Sequence, residues 1–165
     1  VTKTVRIVVA GDAVAICNVL RRSIMECCIA DHRGDEAVIA AWLKNKTPQN
    51  IVAWIQAPGA IAIVANQGGA VVGFALAKGD VLALCYVLPE CLYQGVGRQL
   101  LSEIETRSAA LGIANLRLES TRTAQQFYRR NGFVPVGLAL QWGGMEAQPM
   151  VKPLTASHSH PLANT

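Results

Sequence analysis

The apolar positions of the chain change period twice. Val5 to Ala10 is a short apolar run broken by Arg6 and reads as a strand, ended by Gly11-Asp12 with Asp12 placed to cap a helix. From there Ile16, Leu20, Ile24 and Cys27 or Cys28 recur at helical spacing, with Arg21, Arg22 and Glu26 on other faces. This predicts a helix that stops near Asp31-His32-Arg33-Gly34. Asp35 caps a second helix with Val38 or Ile39, Trp42 and Leu43 inward. Thr47-Pro48 starts a third, Thr at the cap and Pro in the first turn, running through Ile51, Trp54 and Ile55 to Ala57-Pro58-Gly59.

The period then shifts to that of strands. Ile61–Ala65, Ala70–Ala77 and Val81–Leu88 are β-rich runs joined by Asn66-Gln67-Gly68-Gly69 and Lys78-Gly79-Asp80. Links this short join antiparallel neighbours, so a three-stranded meander is expected. Helical spacing returns over 97–111, with Leu100, Leu101, Ile104 and Leu111 inward and Gly112 at the stop. A strand over 113–119 follows, and a strand–helix–strand crossover is normally parallel and right-handed. Ser120 to Thr123 caps a last helix carrying Ala124, Phe127 and Tyr128, stopped by Asn131-Gly132. Two strands, 133–140 and 147–154, pair around Trp142-Gly143-Gly144. The order specifies one α/β (α+β) domain over 1–154, and the polar composition of 155–165 predicts a flexible tail.

Composition narrows the class. With 165 residues the chain buries about two thirds of its unfolded surface and needs no metal or disulfide staple. It is 52% hydrophobic and 16% charged, which excludes intrinsic disorder for its body. Polar residues or glycine interrupt every apolar run before the roughly 20 residues a membrane helix needs. The first residues lack a signal-peptide layout, and a cytoplasmic protein is expected. The five cysteines form no C-x-x-C pair and read as small buried hydrophobes in a reducing compartment. His32 stands alone and His158 and His160 lie in the tail, so no metal site is expected. The net charge of +4 concentrates around Arg98, Arg107, Arg117, Arg122, Arg129 and Arg130. With only 5% aromatics this favours a small anionic ligand over nucleic acid.

Two stretches carry the candidate chemistry. Gly95-Val96-Gly97 sits where the third meander strand passes into a helix, and free N–H groups at such a joint hold an anion. It is neither a P-loop nor a dinucleotide fingerprint, since the following Lys-Ser/Thr and the third glycine are missing. In Ala124-Gln125-Gln126-Phe127-Tyr128-Arg129-Arg130-Asn131-Gly132-Phe133, Tyr128 is turned about 100° from Phe127, so its phenol can reach a cleft beside the preceding strand.

Together the two stretches resemble the Gcn5-related N-acetyltransferase (GNAT) superfamily, over about Val5 to Leu154. That family's [Q/R]-x-x-G-x-[G/A] pattern falls on Leu92-Tyr93-Gln94-Gly95-Val96-Gly97. Its A-x-x-F-Y-x-x-x-G-F pattern is met by Ala124, Phe127, Tyr128, Gly132 and Phe133. Tyr86-Val87-Leu88-Pro89-Glu90 and Met150-Val151-Lys152-Pro153-Leu154 are also similar. The one departure is Leu92, where the family has Gln or Arg. Leucine donates nothing to a phosphate, so backbone N–H groups of Gln94 to Arg98 and the Arg98 side chain must serve instead.

The resemblance implies a mixed, mostly antiparallel sheet of six to seven strands with four to five helices, strands four and five splayed. It implies acetyl-CoA as cofactor, held by Tyr86, Val87, Leu88, Leu92, Tyr93, Gln94, Gly95, Val96, Gly97, Arg98, Ser120, Ala124, Phe127 and Tyr128. Transfer to a primary amine of a small molecule, amino acid or peptide would be direct. In it the N–H near Val87 polarises the thioester carbonyl and Tyr128 protonates the leaving thiolate. Glu119 is the first choice of general base. Glu26 and His32, in the helix-one region where that family often shapes its acceptor pocket, come next as base and as acceptor-binding residues, and a water chain would also serve. The partners implied are acetyl-CoA and the amine, with no nucleic acid or membrane, and a homodimer left open. Two other readings stand beside this one: a CoA-binding GNAT fold without catalysis, and an unrelated nucleotide-binding α/β domain, which the antiparallel meander disfavours.

Overall fold

The structure, a computed structural model, describes residues 2–155. Apart from Thr155, the predicted tail over 155–165 lies outside the described residues, as do His158 and His160. The elements run β1 (Lys3–Ile7), α1 (Ala13–Cys27), α2 (Ile29–His32), α3 (Glu36–Leu43), α4 (Pro48–Gln56), β2 (Ala60–Gln67), β3 (Ala70–Lys78), β4 (Val81–Val87), α5 (Val96–Ala110), β5 (Asn115–Ser120), α6 (Gln125–Arg130), β6 (Val134–Pro135), β7 (Leu140–Trp142) and β8 (Met145–Pro153). Short 3-10 turns at Ala10–Asp12 and Pro89–Cys91 precede α1 and follow β4.

The strands form one sheet in the order β1-β2-β3-β4-β5-β8-β6, with β7 paired to β8. All pairs are antiparallel except β4 with β5, as the crossover through α5 requires. Six to seven strands are expected, and among the described residues there are eight. Val134 and Pro135 pair with β8, and the chain leaves the ladder through Gly137 (φ 68) before Leu140–Trp142 pairs again. Four to five helices are expected, and among the described residues there are six, because the first ends at Cys28 (φ −101, ψ 33) and a single further turn, α2, follows.

Period-2 alternation buries the central strands on both faces. On one face Ala75 and Ala77 of β3 and Leu116 and Leu118 of β5 pack with Leu100, Leu101 and Ile104 of α5. On the other, Val64, Phe74 and Leu76 meet Ile16 and Leu20 of α1 and Ile51 of α4. A third cluster joins Ile24 and Cys28 to Trp42 and Leu43 of α3 and Met145 of β8. Each large side chain buried this way stabilises the fold by about 1.5–3 kcal/mol.

The caps at Asp35 and Thr47 form as their sequence positions imply. Asp35 accepts from the N–H groups of Ala37 and Val38, and the Thr47 hydroxyl accepts from Asn50 N–H. Asp12 behaves differently. Its carboxylate is held by the Arg6 guanidinium at 2.8 and 2.9 Å and by Val9 N–H, and does not cap α1. β1 ends at Ile7, three residues before the expected end of the strand, although Val8 N–H still donates to the Ala62 carbonyl at 3.0 Å.

Candidate active site

β4 and β5 share one registered pair, Val81 with Arg117. Arg117 N–H donates to the Asp80 carbonyl at 2.8 Å, and its guanidinium holds the Asp80 carboxylate at 2.8 and 2.9 Å. Beyond this clasp the two strands have no ladder, and their carboxyl halves leave a gap. Leu88 N–H donates to the Val72 carbonyl at 2.8 Å. The alternation of an antiparallel ladder then turns Tyr86 N–H toward β3, and Cys85 and Val87 N–H into the gap.

At one end of this gap α5 begins. Gly95 takes φ 84, a left-handed conformation that glycine adopts readily because it has no Cβ. The first intrahelical bond runs from Gln99 N–H to the Gly95 carbonyl, so the N–H groups of Val96, Gly97 and Arg98 have no helical partner. Arg98 is exposed beside them. Lys3, from the start of β1, donates to the Gln94 carbonyl at 2.6 Å, and the Gln94 amide donates to the Glu90 carbonyl. Tyr93 stands fully exposed with φ 60. Leu92 packs against the α5-side core, which is what a leucine does there in place of a polar donor.

Gly97 has a second use. A Cβ on it would meet the Phe127 ring at 3.2 Å, so its bare Cα lets α6 close against the start of α5. Phe127 and Phe133 flank the Tyr128 ring edge-on, at centroid distances of 5.2 and 5.5 Å. Burial holds the Tyr128 phenol well above its ordinary pKa of 10.0, and nearby Cys85 and Tyr86 push it further up. Burial likewise pushes the Cys85 thiol to about 12. It raises the Tyr86 phenol as well, with Cys28 adding to the shift and Trp42 opposing it. Ser120 is buried with its hydroxyl on the Thr121 carbonyl, and Ala124 packs against the same core as Tyr128.

Glu119 is exposed on the opposite face of β5 from Leu118 and Ser120. It pairs with Pro149 of β8, whose face continues to Met145 in the cluster with Cys28 and Trp42. Glu119 and Tyr128 therefore approach the sheet from opposite sides. His32 lines a cavity of about 310 Å³ on the Glu119 side. Its Nε2 meets the Ile24 carbonyl and its Nδ1 accepts from Gly34 N–H, so neither nitrogen has a free lone pair. Glu26 lies outside that cavity, paired with Arg22, which also grips Glu90.

The family model described as acetyltransferase (GNAT) domain matches residues 28–154. The chain belongs to the GNAT acetyltransferase family. Acetyl-CoA is the acetyl donor of this family. A GCN5-related N-acetyltransferase from Rhodopseudomonas palustris is similar in structure, with a TM-score of 0.83 and 24% identity over 93% of this chain and 97% of that one. PaiA N-acetyltransferase from Thermoplasma acidophilum, solved with coenzyme A, gives 0.78 and 22% over 93% and 99%. YncA from Salmonella typhimurium, solved with acetyl-CoA, gives 0.72 and 20% over 99% and 100%. At these identities the likeness is one of fold. No curated protein sequence matches.

Within this GNAT frame, two features escaped the sequence pattern. Lys3 meets the Gly95 loop across 91 positions of sequence, a distance no local pattern spans. Asp31 is buried and accepts from the N–H groups of Arg122 and Thr123, tying α2 to the turn that launches α6. Its only sequence signal was its place at a helix end. Among the described residues no helix is long and apolar enough to cross a membrane.

Proposed function

We propose that this GNAT acetyltransferase moves the acetyl group of acetyl-CoA directly to a primary amine of a small molecule, amino acid or peptide. The observation that carries this reading is the unpaired β4–β5 gap, with outward Val87 N–H, a vacant helix start at one end and the Tyr128 phenol against it. Acetyl-CoA supplies an activated acyl thioester and a thiolate leaving group. The residues fit it: three free N–H groups, the α5 dipole and Arg98 suit a pyrophosphate, and the strand edges suit an amide-bearing arm.

The work of the chain's own groups follows. Val87 N–H donates to the acyl oxygen as negative charge gathers there, which is where a fixed dipole contributes most. Tyr128, kept protonated by burial, donates its proton to the departing sulfur. Glu119, on the far face and without an ion pair among the described residues, takes a proton from the acceptor's ammonium directly or through water, so that the neutral amine attacks the thioester carbon. His32 is poorly suited to that task because both ring nitrogens are engaged. The five free cysteines fit a reducing cytoplasm, where acetyl-CoA is made and used.

A second reading, CoA binding without transfer, draws on Leu92, which packs into the core where a phosphate donor is expected. Free-thiol release from acetyl-CoA across a panel of amines separates the two. Amine-dependent release supports transfer; acetyl-CoA binding without release for any amine supports the second.

A further inference from the structure

The cavity of about 310 Å³ lies between α2, the start of α3, the turn after β5 and the β7–β8 hairpin. It is at the small end of ligand pockets, which run from roughly 300 to 1,000 Å³, and suits a small molecule better than a folded chain. Its floor adjoins the gap, because Met145, which lines it, belongs to the cluster against which Tyr86 of β4 packs. It opens on the same side of the sheet as Glu119.

Its charges are engaged with one exception. The Asp31 carboxylate accepts from Arg122 N–H at 2.7 Å and from the N–H and hydroxyl of Thr123. Asp35 accepts from the first N–H groups of α3. Glu146 holds the Arg122 guanidinium at 2.6 and 3.1 Å. Of the charges that line the cavity, the exposed Arg33 is the one whose side chain has no ion pair or hydrogen bond among the described residues.

The backbone singles out the same residue. Arg33 closes α2 with φ 54 and ψ 25, the left-handed conformation that L side chains avoid. Elsewhere this chain uses glycine in that role: Gly112 (φ 84) follows α5 and Gly132 (φ 94) follows α6. Gly34 (φ 73) is the very next residue. An arginine held in a strained conformation, beside a cavity and without a partner, points to a ligand for its side chain.

We propose that the acceptor is an amine carrying its own carboxylate, an amino-acid-type molecule, and that Arg33 is the residue that binds this carboxylate. The inference rests on the transferase reading above for the word acceptor. A guanidinium fork matches a carboxylate with two parallel hydrogen bonds, a pairing that ammonium or amide groups do not reproduce. The amine, a few bonds away, is left to face the gap.

The test compares amino acids with their carboxamides, which keep the amine and lose the negative charge. Binding to the CoA-loaded protein is read by calorimetry, and kcat/KM by thiol release. The wild type should favour the acid over the amide by about 10- to 100-fold, the range of a charge-assisted hydrogen-bonded pair. In Arg33→Gly the ratio should fall to about one, mainly through KM and Kd, while the melting temperature holds or rises because the left-handed strain is relieved. Arg33→Lys should retain part of the preference. The proposal is overturned if the wild-type protein binds the acid no more tightly than the amide, or if Arg33→Gly keeps the preference. It is also overturned if an amine bearing a phosphate monoester binds better than either. Calorimetric preference for the acid with no acetyl transfer to any amine would leave this site standing and remove the transferase reading.

Discussion

Tyr128 lies between Phe127 and Phe133 with Cys85 and Tyr86 facing it, surroundings that disfavour a phenolate. The sign of the shift sets a pH signature. A folded pKa raised above 10.0 means that Tyr128 keeps its proton through the alkaline range, where a solvated phenol loses it. Activity should rise with pH as the acceptor amine loses its proton, and should not fall before about pH 10, the ordinary tyrosine value. Tyr128→Phe should lower kcat by about 10²- to 10⁴-fold, the usual contribution of a positioned acid. A Phe variant as fast as wild type above pH 8 would show that the phenol is not the acid. The same raised pKa adds stability that is fully present below about pH 10 and is lost as pH rises toward the folded value.

At the scale of elements, the site depends on how closely α5 lies on the sheet. Gly73 of β3 permits this: a Cβ there would meet Leu100 Cδ1 at 2.9 Å, Val96 Cγ1 at 3.1 Å and the Tyr86 carbonyl at 3.3 Å. Val96 opens the helix that carries the vacant N–H groups, and Tyr86 precedes the donor at Val87. Gly73→Ala should cost about 1–3 kcal/mol through overpacking, seen as a lower denaturation midpoint, and should raise KM for acetyl-CoA as α5 is pushed outward. Unchanged stability and KM would mean that the α5–β3 contact has more slack than its distances indicate. The Asp80–Arg117 clasp is a weaker determinant, since both side chains are about half exposed and solvent screens such a pair.

Across the whole molecule, the legible parts are those written in local pattern. The meander, the parallel crossover and the caps at Asp35 and Thr47 follow from spacing and turn residues within a few positions of each other. What was not legible depends on particular side-chain pairings and single backbone conformations, near or far in sequence. The Arg6 pairing that takes Asp12 from its helix, the Lys3 anchor on Gln94 and the left-handed Arg33 leave no periodic trace. The broken strand at 133–140 hid for another reason: its alternation of Val134, Val136, Leu138 and Leu140 reads as one strand, although only short stretches of it pair. The two motifs lie at the start of α5 and on α6, and Gly97 serves the Phe127 contact as well as the turn. The central claim is that the β4–β5 gap takes the acyl arm of acetyl-CoA. A crystal structure of the protein soaked with acetyl-CoA tests it most directly. The account predicts density running between Val87 and β5, phosphates on the Val96–Arg98 N–H groups, and sulfur within hydrogen-bond reach of Tyr128. Density elsewhere, or a gap closed by β4–β5 pairing with the ligand bound outside it, would contradict the account.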